Sequence, residues 1–343
     1  MAMPENQRCS LPPDKGEPPS AWETCKLEVI EFFLEPTPLF RLDLTVWVLR
    51  RRAQNTWDRW DGQTYRRVLP LGGQPVEVAV TQMCPPDVPR LRVVGTSAAL
   101  NSDAEMAITS ALERLLGIRS DLTAFYEMAS MDPRLASLVQ RFRGFKPPRY
   151  LNLFEALVNA ISCQQLTLTV GVQLVNRLSE RYGSAFPTEN LTAHAFPQPV
   201  DFEGVDVEAL RLVGYSRQKA TAILGLARAV TEERLDLNAI EFLDDEAALK
   251  HLLGLRGIGR WTAEYVLLRG MGRLHIFPGD DVGARNNLRR WLCLSGPLDY
   301  EAVRRVISPW QPFAGLLYFH LLLDRLTEAG HIEASTERHA GCP

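Results

Sequence analysis

The chain has 343 residues, which is enough for two or three domains with hydrophobic cores of their own. Its hydrophobic fraction of 46% and its charged fraction of 23% are typical of a soluble globular protein. The sequence contains no apolar run of membrane-spanning length, and Met1–Ser20 lacks the apolar centre of a signal peptide. We therefore expect a cytoplasmic protein with no membrane partner.

The cysteines and histidines give no sign of a metal site or a cofactor. The six cysteines are scattered and form no C-x-x-C pair, which argues against a thiolate metal cluster and against a dense disulfide framework. Four of the histidines likewise have no metal-binding spacing, and they are interpreted as ordinary surface or core residues: His194, His251, His275 and His320. We expect neither a metal nor a cofactor.

The net charge of −3 and the sequence pI of about 6.1 argue against a nucleic-acid partner when the chain is taken as a whole. The segment from Lys250 to Trp291 differs, because it carries eight basic and three acidic residues. Charge alone does not separate a binding surface from a set of solvated helix faces.

The predicted elements divide the chain into four parts. Residues 1–24 are rich in Pro, Gly and charge, which predicts a disordered tail. Residues 25–117 predict an antiparallel sheet with one helix on it. Residues 118–330 predict an all-α region, and residues 331–343 a flexible tail. The fold class expected from this order is α+β, with the antiparallel subdomain first and the helical domain second.

Within residues 25–117, four segments are predicted as strands. Phe40–Val48 begins with strict alternation, which is typical of a half-buried strand. Trp57–Val68 contains the turn signal Asp61-Gly62, and Gly72-Gly73 separates it from a strand at 75–80. Pro89–Val94 is the fourth strand, and Ser102–Leu116 then has helical spacing that ends at Gly117.

The region that follows has helical spacing almost throughout. Gly or Pro punctuates most of the joins between about ten predicted helices. The predicted helices are Leu122–Met131, Pro133–Phe142, Leu151–Ile161, Leu168–Tyr182, Arg217–Glu232, Asp245–Leu253, Arg260–Met271, Val282–Leu292, Tyr300–Ile307 and Phe313–Ala329.

The most informative segment is Leu252–Tyr265, in which one helix ends, a tight Leu-x-Gly-Ile-Gly turn follows, and a second helix begins. Glycine lets the backbone turn sharply and approach another surface closely. The N-terminus of the second helix offers free amide groups to a phosphate without recognising sequence. A lone G-x-G would indicate only a corner between two helices. The residues expected to contact such a phosphate are Arg256, Gly257, Ile258, Gly259 and Arg260.

With Thr262-Ala263 added, the segment resembles the helix–hairpin–helix element of DNA-repair proteins. The downstream Phe277-Pro278-Gly279-Asp280-Asp281 completes a pattern that resembles the helix–hairpin–helix glycosylase superfamily, and within it the 3-methyladenine DNA glycosylase II family. The resemblance covers most of the chain. It includes Arg41–Leu44, Asp58–Gly62, Val76–Val78, Gln164–Leu166 and Gly214–Ala220.

The resemblance implies that Asp281 is catalytic. Cleavage of an N-glycosidic bond builds positive charge on the sugar, and a fixed carboxylate stabilises that charge or orients the attacking water. The alternative is that Asp280 and Asp281 only cap the helix starting near Val282. We expect Asp280 to be the cap and Asp281 to face the site.

The implied partner is double-stranded DNA containing alkylated bases, bound by a monomer. The damaged nucleotide must leave the duplex and enter a pocket, where aromatic faces attract a cationic base by about 0.5–2 kcal/mol. Candidates for this contact are Tyr265, Trp261 and Trp310, although each is equally compatible with a core position. The resemblance implies that Tyr265 occupies a base-stacking position of the family, so Tyr265 is favoured. A second aromatic residue of the family pocket does not carry over, because its aligned position falls near Leu322.

The segment Gln164-Gln165-Leu166 matches the family turn that fills the gap left by the flipped nucleotide, with Gln165 or Leu166 as the wedge. The competing interpretation is a polar break between two core helices. In this superfamily the hairpin carbonyls near Leu255 and Ile258 can hold a monovalent cation. The spacing of the residues does not indicate whether this chain binds one. Two other functions remain open: a bifunctional glycosylase with lyase activity, and a DNA-binding module without catalysis.

Overall fold

A computed structural model describes residues 27–188 and 190–332. The tail predicted for residues 1–24 lies outside the described residues, as does most of the C-terminal tail, at 333–343. In the described part, an antiparallel sheet precedes a helical region, so the predicted fold class is confirmed. None of the described helices is by itself both long and apolar enough to cross a membrane.

The N-terminal sheet has five antiparallel strands in the order β1-β5-β4-β3-β2. Alternate side chains of the central strands are buried, so one face packs on α2 (Ala104–Leu116). A two-residue turn, Gly72-Gly73, joins β3 to β4 with both glycines in the left-handed region. The strands are β1 Glu28–Leu34, β2 Arg59–Trp60, β3 Thr64–Leu71, β4 Gln74–Gln82 and β5 Leu91–Ser97.

The strand predicted at Phe40–Val48 is wrong, because Leu42–Arg50 forms the helix α1. This helix lies between the sheet and the helical region, and it is buried on both sides. Leu42, Val46 and Leu49 pack in the sheet core, whereas Leu44 and Val48 pack against helices. Two apolar faces, each with helical spacing, together give the sequence the alternation of a strand.

The helical region contains twelve α-helices among the described residues, and all ten predicted helices are present within one or two residues of their predicted bounds. Two further helices, α7 and α9, have seven and five residues, too short for a clear period. The small hairpin formed by β6 and β7 was not predicted either. The elements are α3 Thr123–Ser130, α4 Pro133–Arg141, α5 Leu153–Cys163, α6 Leu168–Tyr182, β6 Ala185–Pro187, β7 Thr192–His194, α7 Val207–Val213, α8 Arg217–Thr231, α9 Leu237–Glu241, α10 Asp245–Leu253, α11 Arg260–Arg269, α12 Val282–Trp291, α13 Tyr300–Ile307 and α14 Ala314–Glu328.

These helices pack around two separate hydrophobic cores. The first core lies among α5–α11, and the second combines α3 and α4 with α12–α14. Helix α11 contributes to both, since Val266 and Leu267 pack in the first core and Leu268 in the second. The chain following α11 therefore crosses from one core to the other, and that crossing contains Asp280 and Asp281.

A buried ionic network fastens the sheet to the first helical core. Arg67 on β3 binds Asp58 at 2.9 Å and Glu155 on α5 at 2.5 Å, and all three side chains are at most 1% exposed. Tyr65 donates a further hydrogen bond of 2.7 Å to Asp58. Burial raises the pKa of Glu155. The Arg67 guanidinium thus offsets the cost of burying two carboxylates.

Replacing Arg67 by Met is expected to lower the free energy of unfolding by about 3–5 kcal/mol, because it leaves buried carboxylates without their cation. Arg92→Met is the matched control: Arg92 is another strand arginine, paired with Glu31, but both side chains are about 45% exposed. Its loss is expected to stay below about 1 kcal/mol. Urea unfolding followed by circular dichroism measures both. Equal losses would show that the buried network contributes no more than a surface pair.

Candidate active site

A cleft with a volume of about 1270 Å³ lies at the crossing between the two helical cores. Its walls come from distant parts of the chain: the end of α1, the turn between α5 and α6, the start of α11, the loop and first turn of α12, and α14. Such convergence of separate elements on one concave surface is typical of a substrate site.

The hairpin between α10 and α11 forms one rim of this cleft. Gly257 has a φ of +82°, and a Cβ there would lie 3.0 Å from the Cβ of Ala222. Ile258 is buried and anchors the hairpin, whereas Arg256, Gly259 and Arg260 are exposed. A Cβ on Gly259 would meet no protein atom within 4 Å, so this glycine leaves open space at the helix N-terminus.

The turn after α5 lies beside the hairpin. The Nε2 atom of Gln164 donates to the carbonyl of Gly257 and to the hydroxyl of Thr262, both at 2.9 Å. The amine of Lys219 donates to the Gln164 carbonyl at 2.8 Å. Gln165 and Leu166 are exposed at the cleft, with Gln165 in the left-handed region at φ +54°. Gln164 thus fixes the turn, and the next two side chains project from it.

Asp281 has its two carboxylate oxygens in different environments. Oδ1 accepts a hydrogen bond of 2.9 Å from the backbone N–H of Ala284, and it thereby caps α12. Oδ2 accepts from the Trp261 Nε1 and from the Tyr318 hydroxyl, each at 3.3 Å. Burial raises the pKa of Tyr318, which keeps this donor protonated. Oδ2 is therefore the oxygen presented to the cleft.

The assignment of the cap to Asp280 is wrong. Helix α12 begins at Val282, so the residue that directly precedes it is Asp281. Asp280 instead accepts a hydrogen bond of 2.7 Å from Arg260, whose guanidinium stacks on the ring of Tyr300. Asp281 therefore both caps α12 and faces the cleft, whereas Asp280 connects the loop to α11.

Glu264, which was not among the predicted site residues, also fixes this loop. Its carboxylate accepts the backbone N–H of Gly279 at 3.1 Å and the hydroxyl of Tyr300 at 2.6 Å. Burial raises the pKa of Glu264. The signal available in the sequence was its position: Glu264 lies one turn after Arg260 and Trp261, on the side of α11 that meets the loop.

The aromatic candidates divide into two groups. Trp261 and Tyr265 line the cleft with ring centroids 5.5 Å apart, and Trp261 is the less buried of the two. Trp310 does not line the cleft: it packs on Trp291, and its Nε1 donates to Asp132 at 3.0 Å. The assignment of Trp310 to base binding is therefore wrong, since the residue belongs to the second core.

Tyr318 is an aromatic residue of the cleft that the sequence analysis missed. It lies one turn before Leu322 on α14, and both line the cleft. The resemblance had placed the second pocket aromatic near Leu322. The i, i+4 spacing of Tyr318 and Leu322, which puts both on one helix face, was the signal that could have found it.

Two further cleft residues, Arg51 and Arg52, come from the N-terminal domain. The guanidinium of Arg51 donates to the Tyr265 hydroxyl at 2.9 Å and to Asn159 Oδ1 at 2.7 Å. Arg51 is 3% exposed, and it follows α1, the element predicted as a strand. Nothing in the local sequence indicates this contact, which joins residues more than 200 positions apart.

Comparison with known proteins shows what the chain is similar to. Residues 158–312 match the model of the HhH-GPD superfamily base excision DNA repair proteins. A DNA-3-methyladenine glycosylase of Bacillus subtilis is 28% identical over 59% of this chain and 67% of its own length. For DNA-3-methyladenine glycosylase 2 of Escherichia coli the identity is 29%, over 52% of this chain and 60% of that protein. A 3-methyladenine DNA glycosylase from Archaeoglobus fulgidus has the same fold, with a TM-score of 0.75, 27% identity, and coverage of 86% of this chain and 99% of that one.

Residues 158–312 thus match a superfamily of base excision DNA repair proteins, and a larger part of the chain is similar to 3-methyladenine DNA glycosylases. Within that superfamily the predicted resemblance to the alkylation-repair glycosylases is confirmed.

Proposed function

We propose that this protein is a monofunctional DNA glycosylase that releases alkylated bases of the 3-methyladenine and 7-methylguanine type, acting as a monomer on double-stranded DNA. The observation that carries the proposal is the position of Asp281, whose Oδ2 lies in the wall of the cleft between the donors of Trp261 and Tyr318. The geometry suits a carboxylate that acts on a sugar at the mouth of a base pocket.

The hairpin and the Gln164–Leu166 turn supply the contacts that this reaction needs with the duplex. The exposed Gly259 and the amides of the first turn of α11 suit a phosphate, which gives affinity without sequence preference. Gln165 and Leu166 project beside the cleft, where a side chain can fill the gap left by a flipped nucleotide.

The cleft offers a flipped base an aromatic surface. The ring of Trp261 is its most accessible part, because Tyr265 and Tyr318 are only 3% and 9% exposed. A cationic alkylated base on this ring gains about 0.5–2 kcal/mol from the cation–π interaction. As the glycosidic bond breaks, positive charge moves to the sugar, where Asp281 stabilises it or directs water.

Two alternatives fit these contacts less well. A DNA-binding module without catalysis has no use for a carboxylate oxygen presented to the cleft. A lyase needs an amine that attacks the sugar and forms a Schiff base. Lyase-type relatives carry a lysine directly before Thr-Ala, and here that position is Trp261. Among the described residues, no lysine lines the cleft, and Lys219 donates to the carbonyls of Ser162 and Gln164.

Asp281→Asn is expected to reduce single-turnover base release by at least about 100-fold while leaving affinity for the duplex within about threefold, because the charge acts in the transition state. Asparagine is also a good helix cap, so α12 retains its N-terminal hydrogen bond. Release is measured by identifying free bases from methylated duplex DNA, and affinity by gel shift.

Asp280→Asn is the matched control, since Asp280 pairs with Arg260 while its neighbour faces the cleft. Its base release is expected to fall far less than that of Asp281→Asn. Wild-type rates in Asp281→Asn would remove this residue from the chemistry, and equal losses in both variants would assign the pair a structural role.

The enzyme is expected to leave an intact abasic site. Borohydride added during the reaction should trap no protein–DNA adduct, and strands should break only after alkali, because tryptophan cannot form an imine and the nearby Arg260 stays protonated. Strand breaks are measured on denaturing gels, before and after treatment with alkali. A trapped covalent adduct would instead establish the bifunctional alternative.

A further inference from the structure

The floor of the cleft contains a buried cation that the proposed reaction of a cationic base does not need. Arg51 lines the cleft and is 3% exposed, and its guanidinium contacts the hydroxyl of Tyr265, the amide oxygen of Asn159 and, at 4.0 Å, the sulfur of Cys163. All these partners are uncharged in their ordinary protonation states. Within the described chain, Arg51 forms no ion pair with a carboxylate.

The donors and acceptors of the hydrogen bonds around Arg51 can be assigned in only one consistent way. Tyr150 and Arg51 both donate to Asn159 Oδ1, at 2.9 and 2.7 Å. The hydroxyls of Tyr150 and Tyr265 are 2.8 Å apart, and since the Tyr150 proton is used on Asn159, Tyr265 is the donor of this pair. Tyr265 thus accepts from Arg51 and donates to Tyr150, so its proton is not available to a base. Its contribution to base binding is its ring.

Other cations near Arg51 add to the positive electrostatic potential of the cleft. The guanidinium of Arg269, itself 1% exposed, lies 5.6 Å from the centroid of the Tyr265 ring. Arg52 and Arg325 also line the cleft, and Arg325 is paired with Glu328. Asp281 and Asp280 are the carboxylates of the cleft lining, and Asp280 is paired with Arg260. The cleft therefore contains more positive than negative charge, although a cationic base would favour the opposite balance.

The charge of the departing base explains what such a floor can do. When the glycosidic bond breaks, its electron pair remains on the base nitrogen. A cationic alkylated base leaves as a neutral molecule, whereas a neutral damaged base leaves as an anion that afterwards takes a proton from water. The sugar cation is captured by a second water, which loses a proton to the solvent. A nearby cation stabilises only the second type of leaving group.

We propose that Arg51 is a specificity-determining residue, which favours the release of neutral damaged bases by stabilising the negative charge that develops on them and disfavours cationic bases. The inference rests on the proposed glycosylase function and adds a class of substrate to it. It also gives the N-terminal domain a role in the active site, because α1 delivers Arg51 to the floor of the cleft.

The test compares single-turnover release of hypoxanthine, a neutral base, and of 7-methylguanine, a cationic base, from the same position in the same duplex. Arg51→Met removes the charge at similar side-chain length, and Arg51→Gln removes it while keeping hydrogen-bond donors. In both variants the ratio of the hypoxanthine rate to the 7-methylguanine rate is expected to fall about tenfold, the effect of one charge in a partly screened site. Arg51→Lys should keep the ratio within about threefold of wild type.

Arg50→Met is the matched control. Arg50 is the neighbouring buried arginine, and it donates to the backbone carbonyls of Trp60 and Ala53 rather than lining the cleft. Its ratio should equal that of wild type. An unchanged ratio in both Arg51→Met and Arg51→Gln would overturn the inference even if both rates fell, as would a wild-type enzyme that releases 7-methylguanine but no hypoxanthine. A wild-type enzyme that releases neither base would instead contradict the proposed function, and with it the inference.

Discussion

The attachment of the Asp281 loop to one side of α11 is the constraint on which the site depends. Arg260 holds Asp280, Trp261 contacts Asp281, and Glu264 binds the amide of Gly279 and the hydroxyl of Tyr300. These contacts fix the carboxylate relative to the hairpin, because the hairpin ends in the same helix. A phosphate on the hairpin and a sugar at Asp281 would therefore be aligned by a single rigid element.

The rest of the cleft is assembled around that helix from both cores and from the N-terminal domain. Tyr318 approaches Asp281 from α14, and Arg51 approaches Tyr265 from α1. The network of Arg67, Asp58 and Glu155 binds the sheet to α5, whose residue Asn159 accepts from Arg51. The sheet thus contributes to the site indirectly, by holding α1 and α5 in a fixed relation.

The parts of this architecture that could be predicted from the sequence are those encoded locally. The hairpin, most helix starts and the position of Asp281 follow from glycines, caps and a short motif within one segment, although the cap of α12 was assigned one residue too early. The strand predicted for α1 failed because two apolar faces overlap in its pattern, and Trp310 was misplaced because a core aromatic and a pocket aromatic look alike. Tyr318 and Glu264 could be found only through their helical spacing from residues already singled out, whereas Arg51 owes its role to a contact across the fold, for which spacing along the chain offers no guide.

The positioning role of α11 is tested most directly through Glu264, by single-turnover base release and duplex affinity measured on the same variants. Glu264→Ala removes the acceptor for Gly279, and it is expected to lower the rate about 10- to 100-fold with little change in affinity, since a displaced carboxylate loses its alignment. Glu264→Gln retains a carbonyl acceptor and should recover most of the rate. Arg92→Met, which removes an exposed ion pair of the sheet, should keep a near wild-type rate. If Glu264→Ala also kept the wild-type rate, Asp281 would be held by other contacts, and the account of α11 would be contradicted.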